Sequence, residues 1–175
     1  MREILSHMDT YATFISHLIH EFSFENLLCV TEMMQYRTLY AHLFRMDHDN
    51  DACIPDLLRL PLHDPLFPQS RIVFNDRFQS RASAQCIEYV VKALLNKYIV
   101  TGCELEVNIE FALRRKFETL ITDKHFVSQL MSNKREVIMV FDPIIRALMN
   151  LMSDSFWRFS LSKDYDKCVA FLDSV

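Results

Sequence analysis

The sequence predicts an all-α fold. Only one of its 175 residues is glycine, whereas strand-rich folds commonly need glycine at hairpins and bulges. Half of the residues are hydrophobic, which is ample for a buried core. Apolar residues also recur at helical spacing in several segments. These features together indicate a single helical domain over residues 1–175.

Two helices are predicted near the start of the chain. The first occupies residues 9–21, where apolar side chains repeat about every 3.6 residues. Ser23 is a suitable N-cap for the second, with Glu25 in its first turn. Phe22 is expected to pack on Leu27 as a hydrophobic staple.

A proline-rich segment at residues 47–80 is predicted to be an irregular but ordered insertion. Four of the five prolines fall within it, and proline interrupts helices. Its many apolar residues, from Leu57 to Phe78, need a cover, so we expect the segment to pack on the helical body. The acidic run at residues 47–51 resembles the start of a calcium-binding loop, but the later glycine and glutamate of such a loop are missing.

Further helices are predicted in the second half of the chain. A long helix over residues 82–100 is expected to end at Gly102 in the C′ position. Two more are expected over Ile109–Leu120 and Lys124–Met131. Asp142 and Pro143 predict the N-cap and N1 position of another helix. A turn at Ser153–Asp154 should then lead into a last pair of short helices.

Composition excludes several classes of function. A glycine-rich phosphate loop is missing, so no nucleotide cofactor is expected. A net charge of −4 does not favour nucleic acid, and no apolar run reaches the roughly 20 residues of a membrane span. Five cysteines without paired spacing indicate free thiols in the cytoplasm. We find no nucleophile motif, and His17 and His20 have no third metal ligand, so catalytic, cofactor and metal sites are not expected.

Three short segments stand out, and each has a purely structural interpretation. Residues 21–28 could be a capped helix start. Residues 106–109 could be a loop in which Asn108 caps the next helix. The third segment could be a helix-turn-helix core with Asp154 and Arg158 paired one turn apart.

Taken in order, the three segments resemble the regulator of G protein signalling (RGS) family. Residues 21–27 match its E-F/Y-S-x-E-N-[LI] helix start. Residues 106–109 match its E-[VI]-N-[LI] loop, and Arg114 occupies its basic position. Residues 141–142 match F-D, and residues 151–159 match L-M followed by D-S-[FY]-x-R-F.

The resemblance implies a two-lobed bundle of about nine helices that binds the switch regions of a heterotrimeric G protein α subunit (Gα). It implies a GTPase activator that is not itself an enzyme: the domain stabilises the transition state of GTP hydrolysis and so terminates the signal. The binding face would comprise the loops at residues 21–26, 104–110 and 150–158. The domain would act in the cytoplasm, at the inner face of the plasma membrane. Residues 1–5 supply only a stub of the family's first helix, so the resemblance leaves open an excised piece of a larger protein with flanking domains.

The resemblance also implies roles for single residues. Asn108 would contact the Gα glutamine that orients the attacking water. Asp154 would bond to the backbone of the first switch segment, and Arg158 would hold Asp154 in place. The other implied contacts or their supports are Glu21, Glu25, Asn26, Leu151 and Ser155.

Two alternatives remain open. The chain could be an RGS-like scaffold or docking domain that does not accelerate hydrolysis, although Asn108, Asp154 and Arg158 favour the activator. It could also be a helical interaction module of another family. The sequence departs from the RGS pattern in two places: Cys29-Val30 replaces an aromatic pair, and the turn before Asp154 is one residue shorter.

Overall fold

The computed structural model describes residues 3–44, 84–123 and 132–174, together with Met1 and His125. Within these ranges the chain is helical and has no strand, so the all-α prediction is confirmed. The insertion predicted at residues 47–80 lies outside them, as does the predicted helix at residues 124–131 apart from His125. A short 3-10 helix comes first, and the α-helices that follow are α1 (Met8–His20), α2 (Phe24–Leu43), α3 (Ala84–Tyr98), α4 (Phe111–Thr122), α5 (Lys134–Met139), α6 (Asp142–Ser160) and α7 (Lys163–Leu172).

Helix α2 is the centre of the fold. It packs against α1, α3, α5 and α6, and every residue from Asn26 to Tyr36 is buried. A helix that is covered on all sides needs apolar residues around most of its circumference. Leu27, Leu28 and Cys29, which point in three different directions about 100° apart, meet that need here.

Two of the polar residues buried in α2 bond to neighbouring helices. The Lys97 ammonium of α3 donates to the Glu32 carboxylate over 2.6 Å, and Thr31 shares a 3.0 Å hydrogen bond with the Tyr11 hydroxyl of α1. Burial raises the pKa of Glu32, and the Lys97 charge opposes that shift. Because an unpaired buried charge is very costly, the pair of Lys97 and Glu32 fixes α2 against α3. The hydrogen bond between Thr31 and Tyr11 links α2 to α1 in the same way.

An aromatic cluster joins α1 to the last two helices. The Phe14 ring lies 5.6 Å from Phe156 and 5.1 Å from Phe159, between ring centroids. Tyr165 of α7 meets Phe159 edge to face at 5.6 Å. Such contacts add to the free energy gained by burying the rings. The cluster therefore sets the position of the second half of α6 relative to α1.

Helix α6 is continuous through residues 153–154, so the turn predicted at Ser153–Asp154 is wrong. Met152, Ser155 and Phe159 are all buried, and their spacing of three and four residues extends the buried stripe of the helix past the expected turn. Packing of that stripe outweighs the local turn preference of a serine and an aspartate.

Two other helix ends differ from prediction. Helix α3 ends at Tyr98, before the predicted C′ glycine. Gly102 instead has φ +83° in a separate turn. In that turn the Cys103 N–H donates a hydrogen bond to the Val100 carbonyl over 3.1 Å. Asp142 is the first residue of α6 rather than its N-cap, and its carboxylate lies 3.5 Å from Arg37 of α2. The short α5 was not predicted.

Continuity of α6 can be tested with proline. Asp154→Pro removes a helical hydrogen bond and clashes with the preceding turn, so it should lower the free energy of unfolding by about 3 kcal/mol or more. Asp154→Ala, the control, should change it by less than about 0.5 kcal/mol, since the side chain is exposed. Chemical denaturation measures both. Equal stabilities of the two variants would indicate a turn instead of a helix.

Candidate functional site

The turn between α1 and α2 adopts an unusual backbone for its sequence. The Ser23 N–H donates to the Leu18 carbonyl over 3.0 Å, and the Phe22 N–H donates to Ile19 over 3.1 Å. This is the Schellman pattern, in which the C′ residue is left-handed and usually glycine. Here it is Phe22, with φ +53°. A non-glycine residue in this conformation costs roughly 1–2 kcal/mol.

The same turn corrects the predicted staple. The Phe22 side chain is 91% exposed, whereas Leu27 is fully buried, so the two do not pack together. The left-handed backbone directs the Phe22 ring outward. Ser23 does precede α2 as predicted, but its hydroxyl oxygen is buried without a hydrogen-bond partner in the described part of the chain.

Glu21 and Arg158 form the contact that joins the first and third predicted segments. Arg158 Nε donates to Glu21 Oε1 over 2.6 Å, and Nη2 donates to Oε2 over 2.8 Å. The same Nη2 lies 3.1 Å from the Ser155 hydroxyl, and His17 Nε2 lies 3.3 Å from Glu21 Oε1. Two parallel bonds make this a bidentate pair with a defined geometry.

This pairing replaces the predicted one between Arg158 and Asp154. The two residues are close enough for Asp154 to help raise the pKa of Arg158, after the larger effect of the Glu21 hydrogen bond. They form no ion pair within the described ranges, however. A spacing of four residues along a continuous helix would permit the predicted pair. The guanidinium instead turns toward α1, where it bonds to both carboxylate oxygens of Glu21.

The remaining predicted residues of α2 and α6 are near this pair along the chain. Glu25 is half-buried in the first turn of α2, and burial raises its pKa. Asn26 is only 4% exposed, and its Oδ1 has no hydrogen-bond partner among the described residues. Leu151 is exposed one helical turn before Ser155, which is itself buried. Thus Glu21, Ser155 and Arg158 are brought into contact, and the others flank them.

The loop that carries Asn108 is clamped by a buried arginine. Arg114 of α4, only 8% exposed, donates from Nη1 to the Ile99 carbonyl over 2.5 Å and from Nη2 to the Val107 carbonyl over 2.6 Å. Its Nη1 also lies 3.0 Å from Glu106. One side chain therefore ties both ends of the segment at residues 99–107.

Asn108 points outward from this clamped loop. Val107 and Ile109 on either side are buried, and alternation along an extended backbone exposes the residue between them. The N-cap position of α4 is Glu110, which makes no side-chain capping bond. Capping by Asn108 is therefore wrong, and its amide is exposed to solvent.

The clamped loop lies beside α2. Burial raises the pKa of the Cys29 thiol of α2 well above its usual value, and Cys103 of the loop is close enough to contribute. Cys29 is one turn beyond Glu25 and Asn26 in the same helix. The second predicted segment thus neighbours the helix that carries part of the first.

Other features of the described residues do not include the predicted contact residues themselves, although the first adjoins the ion pair through His17. A polar cleft of about 570 Å³ is lined by α1 and the start of α7, including His17, His20 and Asp164, but by none of the eight predicted contact residues. No group of three described side chains is arranged to hold a metal ion. None of the described helices has the length and apolarity needed to cross a membrane.

Sequence reasoning missed two contributors to the site. His17 precedes Glu21 by four residues in a predicted helix, and that spacing alone would have placed them side by side. Phe22 in a left-handed C′ position had no comparable signal, because the residue expected there is glycine.

The ion pair predicts a measurable acid titration. The Arg158 hydrogen bonds lower the pKa of Glu21 from 4.5 to about 2, against the opposing effect of burial. A depressed folded-state pKa stabilises the fold above pH about 4.5, and this contribution disappears as the pH falls toward 2. In Arg158→Ala, carboxyl NMR should show the Glu21 pKa near its ordinary value. Lys163→Ala should leave it near 2, and an unchanged pKa in Arg158→Ala would contradict the pairing.

The clamp predicts a local loss of protection. Arg114→Met leaves two buried carbonyl oxygens unsatisfied, at about 1–3 kcal/mol each. Hydrogen exchange at residues 99–110 should accelerate, with a smaller effect in α1 and α6. The neighbouring exposed Lys116→Met serves as control and should leave the loop protected. Uniform acceleration over the whole chain would argue against a local clamp.

Comparison with known proteins adds no assignment. No family model matches the sequence, and no curated protein and no solved structure matches it. The candidate site is therefore defined by its own geometry: an ion pair between α1 and α6, two polar residues at the start of α2, and an exposed asparagine on a clamped loop.

Proposed function

We propose that this chain is an RGS domain that binds the switch regions of Gα and accelerates its GTP hydrolysis. The observation that carries the proposal is the bidentate pair between Glu21 and Arg158, which are 137 residues apart in sequence. The RGS resemblance requires the segments around these two residues to share one face. Their contact supports that requirement, although the resemblance had assigned Arg158 to Asp154. The finer fold, two lobes and about nine helices, belongs to the same proposal.

The proposed mechanism is transition-state complementarity. Gα itself supplies the nucleotide site, the magnesium ion, an arginine and the glutamine that orients water. A partner that binds the switch segments best in their transition-state arrangement lowers the barrier without a catalytic group of its own. Asn108 suits this role, because its amide is exposed while the backbone beneath it is held by Arg114.

Two buried polar atoms at the start of α2 have no hydrogen bond in the described part of the chain. Ser23 Oγ and Asn26 Oδ1 both lack hydrogen bonds among the described residues. Each such atom costs about 1–3 kcal/mol in a folded protein. Both residues belong to the segment that the resemblance assigns to Gα contact, but because both atoms are buried, a partner would reach them only if this turn rearranged on binding.

A docking domain without GTPase-accelerating activity is the second candidate. One observation favours it: Asp154 is part of a continuous helix and is not held by Arg158. The resemblance assigns Asp154 to the first switch segment with Arg158 as its support. In either case the domain would work in the cytoplasm at the inner face of the plasma membrane, where its partner would be.

State-selective binding tests the proposal. The domain should bind Gα loaded with GDP, magnesium and aluminium fluoride at least tenfold more tightly than Gα with GDP alone, because only the first presents the switches in the transition-state arrangement. Titration calorimetry with both forms measures this ratio. Equal affinities for the two forms would mean that the domain does not shift Gα toward its transition-state arrangement. The docking domain would then be the remaining candidate function.

Two asparagine substitutions, one on the proposed face and one on α3, provide a matched control for that titration. Asn108→Ala should weaken binding to the aluminium fluoride form severalfold while the unfolding temperature stays unchanged. Asn96→Ala removes the same amide from an exposed position on α3 and should affect neither quantity. A loss of stability with unchanged binding in Asn108→Ala would give this residue a structural role only.

A further inference from the structure

The three most exposed aromatic side chains of the described residues lie in or directly after the predicted contact segments, one for each segment. Phe22 is 91% exposed, Phe111 is 74% exposed and Trp157 is 64% exposed. Phe22 follows Glu21, Trp157 precedes Arg158, and Phe111 follows Asn108 by three residues. Elsewhere in the described chain, eight phenylalanine and tyrosine side chains are almost completely buried. Tyr89 on α3 and Phe171 on α7 are also exposed, at 54% and 37%, so the greatest aromatic exposure, though not all of it, lies around the proposed binding face.

Neither the core nor local structure accounts for these positions. Phe22 occupies a left-handed C′ position that glycine would fill without strain. Phe111 is the first residue of α4, and its one described ring contact is the Arg115 guanidinium, 5.9 Å from the ring centroid. Trp157 lies outside the aromatic cluster formed by its neighbours on α6. Exposed aromatic residues beside an arginine are typical of binding hot spots.

Charge identifies the chemistry of the occupant. The segments at residues 21–26, 104–110 and 150–158 contain six acidic residues and one basic residue, Arg158. Arg158 is paired with Glu21, and Glu106 is paired with Arg114. The acidic residues left without an ion-pair partner in the described ranges are Glu25, Glu104, Glu110 and Asp154. Such a face repels an anionic membrane and favours a protein surface that carries lysine or arginine.

Resting on the proposed function, we propose that Phe22, Phe111 and Trp157 are the specificity-determining residues of this domain. They select Gα subunits whose switch surface has apolar pockets bordered by basic side chains. Asn108 acts on the hydrolytic machinery that every Gα shares, so it does not discriminate among them. Discrimination has to come from side chains around it, and aromatic anchors provide a large contact area with few rotamers to freeze.

A binding panel tests this assignment. Phe22→Gly, Phe111→Ser and Trp157→Ser are titrated against several Gα subunits, each loaded with GDP, magnesium and aluminium fluoride. Each change should weaken binding to the preferred Gα at least tenfold and to disfavoured ones less than threefold, so that the preference collapses. Tyr89→Ser, an equally drastic change at an aromatic 54% exposed on α3, should shift no affinity by more than twofold.

Phe22→Gly separates a binding role from a structural one. Glycine relieves the left-handed backbone, so this variant should unfold at a higher temperature than the wild type while it binds more weakly. A lower unfolding temperature with unchanged binding would overturn the role of Phe22.

The outcomes also separate this inference from the proposed function. Tight, state-selective binding by the wild type with no loss in any aromatic variant would overturn the inference and leave the function intact. Binding of the wild type to no Gα would overturn both. A concentration-dependent dimer that Trp157→Ser dissolves would identify a second copy of the chain as the occupant and would also overturn the inference.

Discussion

Two parallel hydrogen bonds from the Arg158 guanidinium to the Glu21 carboxylate join the turn after α1 to the last third of α6. An exposed ion pair contributes little to overall stability. Its importance here is positional, because it fixes one orientation between two segments far apart in sequence. The aromatic cluster of α1, α6 and α7 lies in the same region and limits how far these helices can shift. The rest of the proposed face depends on this arrangement.

The proposed mechanism requires a rigid binding face. A mobile partner would lose conformational entropy on ordering the switch segments and would gain less from binding. Buried groups supply that rigidity: Arg114 bonds to both ends of the segment before Asn108, and Lys97 pairs with Glu32 where α3 lies against α2. Asn108 was predicted at an exposed loop position, and it is exposed, but the clamp beneath it depends on backbone carbonyls that no sequence pattern reveals.

Helical periodicity predicted α1, the start of α2 and most of α3 and α4, because each presents a regular apolar stripe to the core. Prediction failed where distant packing competes with a local preference. The turn expected around Asp154 gives way to a buried stripe that continues along α6. Arg158 was assigned to a carboxylate one turn away, yet it bonds to Glu21, and only the folded chain brings that residue near. Phe22 was expected to pack on Leu27 as a hydrophobic staple, and the left-handed turn exposes it instead.

The central claim is that a rigid, non-catalytic face accelerates hydrolysis by a partner GTPase. Single-turnover GTP hydrolysis by a panel of Gα subunits, with and without the domain, tests it most directly. At least one Gα should hydrolyse GTP ten or more times faster with the domain, and Asn108→Ala should remove most of that gain. Unchanged hydrolysis rates across the whole panel, at domain concentrations that saturate binding, would rule out GTPase activation by this domain.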